Sequence, residues 1–149
     1  MAIKRILQSS ISGGDIAEDK ILHSKAKNVD MMSDEIEQLI CNLRDTLWAY
    51  PFCVGISAPQ IGCDYAVSVV NFNHESKGED LILINPVILE TSGKKDKKRE
   101  SCMSVWGKMG EVERRAKITI EFMDEFFETK QLSYNGFAAR VIQLSLIHI

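Results

Sequence analysis

From Ser33 to Ala49 the apolar positions recur with a helical period. Ile36, Leu39, Ile40, Leu43 and Leu47 occupy the i, i+3, i+4, i+7 and i+11 rows and therefore share one face. Ser33 carries an oxygen suited to the N-cap, and Asp34 and Glu35 fall in the first turn, where the helix dipole favours anions. Pro51 stops the helix. Beyond it the pattern changes to strands. "YAVSVVNF" (65–72), "LILINPVIL" (81–89) and "KITIEFMD" (117–124) are short runs rich in β-branched and apolar residues. Pro86 has no N–H to give to a ladder, which makes the second run an edge strand or an interrupted one. "TSGKKDKKRE" (91–100) reads as a charged, solvated turn without a function of its own. "YNGFAARVIQ" (134–143) reads as a turn into a second helix, with Ala138, Val141 and Ile142 able to face a core.

The order is helix, several strands, helix, with no βαβ alternation. An α+β fold follows: small mixed or antiparallel sheets packed around a C-terminal helix, with an amphipathic helix on the N-terminal side. At 149 residues the chain is expected to form one domain, 1–149, large enough for a real core.

Composition adds exclusions. The hydrophobic fraction of 45% and charged fraction of 26% suit a globular chain. A net charge of -3 makes no bulk case for direct binding to nucleic acid or to an anionic membrane surface. No stretch approaches a membrane span, and "MAIKRILQSS" has no apolar run long enough for a signal peptide. Cys41, Cys53, Cys63 and Cys102 form no CxxC pair, so reduced thiols and a cytoplasmic location are expected.

Three stretches carry candidate chemistry. In "CVGISAPQIG" (53–62), Gly55 and Ala58 leave room for a substrate backbone, and Gln60 offers an amide that can donate to a carbonyl oxygen; the plainer account is a turn between helix and strand. In "ESCMSVWG" (100–107), Cys102 is a buried inert thiol, a thiolate metal ligand or a nucleophile. A nucleophile needs a histidine base, and His23, His74 and His148 are the only ones in the chain. The third stretch is the closing helix, which on its own speaks only of packing.

In this order the three stretches resemble the peptide deformylases. That family's pattern is Gly-φ-Gly-φ-Ala-Ala-x-Gln, then Glu-Gly-Cys-Leu-Ser, then a helix bearing Gln-His-Glu-x-Asp-His. Here "CVGISAPQ" has Cys53 and Ser57 for a glycine and an alanine, and "ESCMS" has Ser101 and Met103 for glycine and leucine. "GFAARVIQ" matches the lead-in to the third motif, and the likeness begins at "ILHSKAKNVDMMSDEIEQLI" (21–40) and runs to Gln143.

The resemblance implies a hydrolase that removes the formyl group from N-formylmethionyl nascent peptides, with the ribosome near its exit tunnel as a further partner. It implies one divalent metal ion, Fe2+ in the cell, with Zn2+, Ni2+ or Co2+ substituting. Cys102 would be the thiolate ligand, and two histidines one helical turn apart would complete the set, leaving a position for water activated by the metal. A glutamate after the first histidine would move the proton. Gln60 and the backbone N–H of Met103 would stabilise the oxyanion, while Val54, Gly55 and Ser101 would hold the peptide as an added strand.

The third motif itself departs from the pattern. The first histidine falls at Leu144, the glutamate at Ser145 and the aspartate at Ile147; only His148 is in register, as a second metal ligand by position. The residues "LSLIHI" (144–149) are those encoded by CTG TCT CTT ATA CAC ATC, the transposase adapter end used in sequencing-library preparation. The expectation is therefore that 144–149 are translated adapter joined to a gene cut before its metal motif, leaving a chain without activity. A natural paralogue that lost its metal site, keeping peptide binding without catalysis, is the rival. An unrelated cysteine enzyme using Cys102 is a third possibility, which insensitivity to chelators would mark.

The nucleotide sequence downstream of the Gln143 codon separates the first two. A His-Glu-x-x-His reading frame there is the expected result; the same six residues in an independently cloned gene would favour the paralogue.

Overall fold

The computed structural model describes residues 4, 6, 25–50, 53–72, 80–100 and 110–146, without the side chains of 95–100 and 110–113. Helix α1 spans Asp34–Ala49 and begins as its sequence predicts: the Ser33 Oγ accepts from the Ile36 N–H at 3.3 Å. It ends at Ala49, with Tyr50 as an extended C-cap. Five strands follow: β1 (Gly55–Ser57), β2 (Val67–Val70), β3 (Leu81–Glu100), β4 (Gly110–Met123) and β5 (Thr129–Asn135). Helix α2, Gly136–Ser145, closes the described chain. The strands form one antiparallel sheet in the order β1-β2-β3-β4-β5. The α+β class is thus observed, with the strands of the described residues in one sheet.

Alternation along the strands divides the core in two. Ile56, Val67, Val69, Ile82 and Ile84 join Ile36, Leu39, Ile40, Leu43 and Leu47 of α1 in one cluster. Val70, Leu83, Ile118, Ile120 and Phe122 point the other way and pack with Ala139, Val141 and Ile142 of α2. Burying each large aliphatic side chain contributes about 1.5–3 kcal/mol, so the apolar row on α1 holds it far more firmly than propensity alone could. The buried residue of the first turn of α2 is Ala139 rather than Ala138.

A polar anchor supplements the apolar one. The Asp80 carboxylate is almost fully buried; its Oδ1 accepts from Trp48 Nε1 of α1 at 3.3 Å and from Asn71 Nδ2 at 3.1 Å. Arg44 Nε lies 3.3 Å from the other carboxylate oxygen without hydrogen-bond alignment, an ion pair only. Helix, β2 end and β3 start are thereby tied at one point. No helix among the described residues is long and apolar enough to cross a membrane.

β3 shows both a confirmation and a correction. Pro86 interrupts it as expected: the register with β4 slips between Ile84 and Val87, where pairing with β2 has already ended. Asn85 sits at φ 51 and its carboxamide pairs with the Val29 backbone, Oδ1 accepting from N–H at 2.7 Å and Nδ2 donating to the carbonyl at 2.8 Å. The charged segment 91–100, however, is not a turn; β3 continues through it to Glu100, opposite 110–118. The register sets three pairs of opposite charge across the ladder, Asp96 and Arg114, Lys97 and Glu113, and Arg99 and Glu111, against one like pair, Lys95 and Arg115. Opposite charges directly across an antiparallel pair favour the ladder. A charge run read along one strand conceals its complement on the next.

Asn85 supplies a test. Asn85→Ala removes two hydrogen bonds and places a side chain that disfavours positive φ there; a loss of about 2–4 kcal/mol is expected from urea unfolding. Asn85→Gly, which tolerates the backbone, should lose visibly less.

Candidate active site

β1 is only three residues long, too short to register as a strand in the sequence. It forms because Gly55, Ile56 and Ser57 pair with Val70, Val69 and Ser68 of β2. Among the described residues no strand pairs with its other side, so it is an edge strand. Ala58–Ile61 then turn as a short 3-10 helix with Pro59 in its first turn.

Gln60 is 4% exposed and turned back on the strand. Its Oε1 accepts from the Ser57 backbone N–H and from the Ser57 hydroxyl, both at 3.0 Å. A backbone N–H can only donate, which identifies the facing amide atom as oxygen and leaves the NH2 end as the donor end. The Ser57 contribution escapes the family pattern, in which this position is alanine, yet Ser-x-x-Gln is itself a capping-box signature that would have found it.

Gly55 is where strand and closing helix meet. A Cβ placed there would stand 3.5 Å from Val141 Cγ1, 3.6 Å from Val70 Cγ2 and 3.7 Å from Ser145 Cβ. Ser145, the position matching the family's glutamate, is buried against the strand, with its Oγ donating to the Ile142 carbonyl at 3.0 Å. Leu144 is half-buried. Gln143 Nε2 donates to Arg115 O on β4 and to Ala139 O on α2 itself, both at 3.0 Å, so the last turn is held at a set depth. Val54, half-buried, packs against the α2 side of the core, and its carbonyl accepts from Asn71 N–H at 2.8 Å.

The structure therefore brings Val54, Gly55 and the end of α2 together, with Gln60 just beyond the strand. Ser101, Cys102, Met103 and His148 lie outside the described residues. The other thiols offer no substitute. Cys53 is buried, its Sγ donating to the Gly55 carbonyl at 3.5 Å. Burial pushes the Cys63 thiol up, with Asp64 and Glu35 adding to the rise and Lys4 opposing it, so it stays protonated near neutrality. Among the described residues no three His, Cys, Asp or Glu side chains gather into a metal-binding group. An aliphatic Leu144 and a neutral Ser145 stand where an imidazole and a carboxylate are needed, so the described part of the site does not fit a divalent ion.

Known proteins give the likeness a measure. The family model for polypeptide deformylase matches residues 16–148. A peptide deformylase of Natranaerobius thermophilus is 35% identical over 151 aligned positions, covering 100% of this chain and 88% of the relative. One from Desulforudis audaxviator is 38% identical, covering 88% of this chain and 82% of the relative. Among solved structures, a peptide deformylase from Legionella pneumophila superposes with a TM-score of 0.87 at 29% identity, over 99% of this chain and 80% of that one. The enzyme from Thermotoga maritima gives 0.86 at 26%, over 99% and 92%.

The close approach at Gly55 can be probed by size. Gly55→Ala should cost little, because every neighbour stays at ordinary contact distance. Gly55→Val should destabilise by about 1–3 kcal/mol through overpacking against Val141 and Ser145, read as a lower thermal midpoint.

Proposed function

This chain belongs to the peptide deformylase family, a family of hydrolases acting on formylated nascent peptides, and from that footing we propose that it binds such peptides along β1 but does not hydrolyse them as it stands. One observation carries the reading: the last turn of α2 is seated against Gly55, and it bears Ser145 there, next to Leu144, where the family pattern has a glutamate and a histidine. The place for the chemistry is built and the reacting groups are not.

The binding half rests on intact parts. β1 is an edge strand, and an extended peptide can add to it through main-chain hydrogen bonds. Val54, Gly55 and Ser101 would hold the peptide backbone. The Gln60 carboxamide and the Met103 N–H would donate to the formyl oxygen, favouring a carbonyl cap over a charged amine. In the complete family pattern a divalent ion, Fe2+ or a Zn2+, Ni2+ or Co2+ substitute, completes the site. Here Cys102 and His148 offer two donors, one short of the three protein ligands of a hydrolytic metal centre. No carboxylate stands at the general-base position, and a serine hydroxyl cannot take that role unaided. We place the protein in the cytoplasm, where its thiols remain reduced and where its substrate emerges from the ribosome.

Metal analysis and a formyl-peptide assay test this together. The chain as given, purified anaerobically with Fe2+ or with Zn2+, should retain well under one ion per chain and release no formate, while still binding a formyl-methionyl peptide. Leu144→His with Ser145→Glu creates His-Glu-x-x-His with His148 and should raise the content toward about one ion per chain. Cys102→Ala in that background should abolish the gain. A stoichiometric ion and turnover in the unaltered chain would overturn the reading.

A further inference from the structure

We infer that Ser57 is a positioning residue that makes Gln60 a one-way donor, so that the site prefers an N-terminal cap bearing a carbonyl over a free amine. The inference rests on the placing of Gln60 toward the formyl group and extends it to a residue that the family pattern leaves as alanine.

A glutamine carboxamide is ambivalent. Its oxygen accepts and its nitrogen donates, and a half-turn exchanges them. In a site that must tell a formyl oxygen from an ammonium group, that freedom blurs the choice. The backbone N–H of Ser57 restrains the amide through one bond to Oε1 at 3.0 Å. The Ser57 hydroxyl adds a second to the same oxygen, also at 3.0 Å. A carbonyl oxygen has two lone pairs, and both now have donors. Flipping the amide would set an NH2 against an N–H, exchanging a bond for a clash of donors.

Two features raise the effect of this one hydroxyl. Ser57 is fully buried and Gln60 nearly so, which strengthens each bond and makes an unmade one costly. Bonds accepted at the amide oxygen also polarise the group, so its N–H becomes a better donor to whatever meets it. The 3-10 turn beginning at Ala58 holds the two side chains in this relation through its backbone. The hydroxyl thus acts on the ligand through Gln60 without touching it.

The test uses the full chain, Ser57→Ala, which restores the family residue, and Ser57→Thr, which keeps the hydroxyl. The first measurement is the Gln60 side-chain 15N–1H signal pair, assigned by its loss in Gln60→Glu. The parent and Ser57→Thr should show an ordered pair set apart from exposed carboxamides; in Ser57→Ala the pair should move toward them. An unchanged pair in Ser57→Ala overturns the inference. The second measurement compares formyl-Met-Ala-Ser with the same peptide bearing a free amine. The preference for the formyl peptide should fall about three- to tenfold in Ser57→Ala and hold in Ser57→Thr. An equal loss for both peptides marks a merely structural hydroxyl and also overturns it. Should the parent bind neither peptide, the peptide-binding function fails, while the Gln60 signals still decide the role of Ser57.

Discussion

The edge strand and the closing helix meet at Gly55, with room between them for a methyl and no more. With only hydrogen at Gly55, Val141 and Ser145 reach within ordinary contact of where a methyl would sit. The strand edge and the last turn of α2 therefore share one small region, although about ninety residues separate them. Interiors are close-packed and do not stretch to accommodate a methylene. A functional group carried at 145 emerges beside the main chain of β1.

The rest of the molecule maintains that approach from two sides. α1 and its apolar row support the sheet on one face, and α2 lies against the other. Neither helix could hold its position by propensity; the 10 residues of α2 are below the length at which an isolated helix is stable in water. Its depth is set by Ile142 and Val141 in the core and by the Gln143 carboxamide bridging to β4. Asp80 performs the corresponding task for α1, gathering Trp48, Asn71 and Arg44 around one buried carboxylate.

The site built on this scaffold is uneven. On the β1 side it has an edge strand, and an amide whose orientation two hydrogen bonds enforce. Its nucleophile-generating side has an alkyl group and a hydroxyl in place of an imidazole and a carboxylate. The fold tolerates those replacements because Ser145 satisfies its own hydroxyl on the Ile142 carbonyl and Leu144 stays half-buried. Packing is thus separable from the chemistry proposed for positions 144 and 145, since the core is filled by Val141 and Ile142.

What could be read from the chain alone was local. The period of Ile36 to Leu47, the Ser33 cap and the Pro86 interruption each depend on residues a few positions apart, and each appears in the structure as expected. The motif order in "CVGISAPQ" and "GFAARVIQ" likewise revealed the family without coordinates. Other features needed the tertiary structure. β1 is a strand only because Val67–Val70 lies beside it, and 91–100 extends because 110–118 pairs with it. That Ser145 rests on Gly55, and that the Ser57 hydroxyl turns toward Gln60, are facts of approach in space. A sequence records which groups exist and how they alternate; distances between remote groups arise only when two faces of a sheet are buried at once.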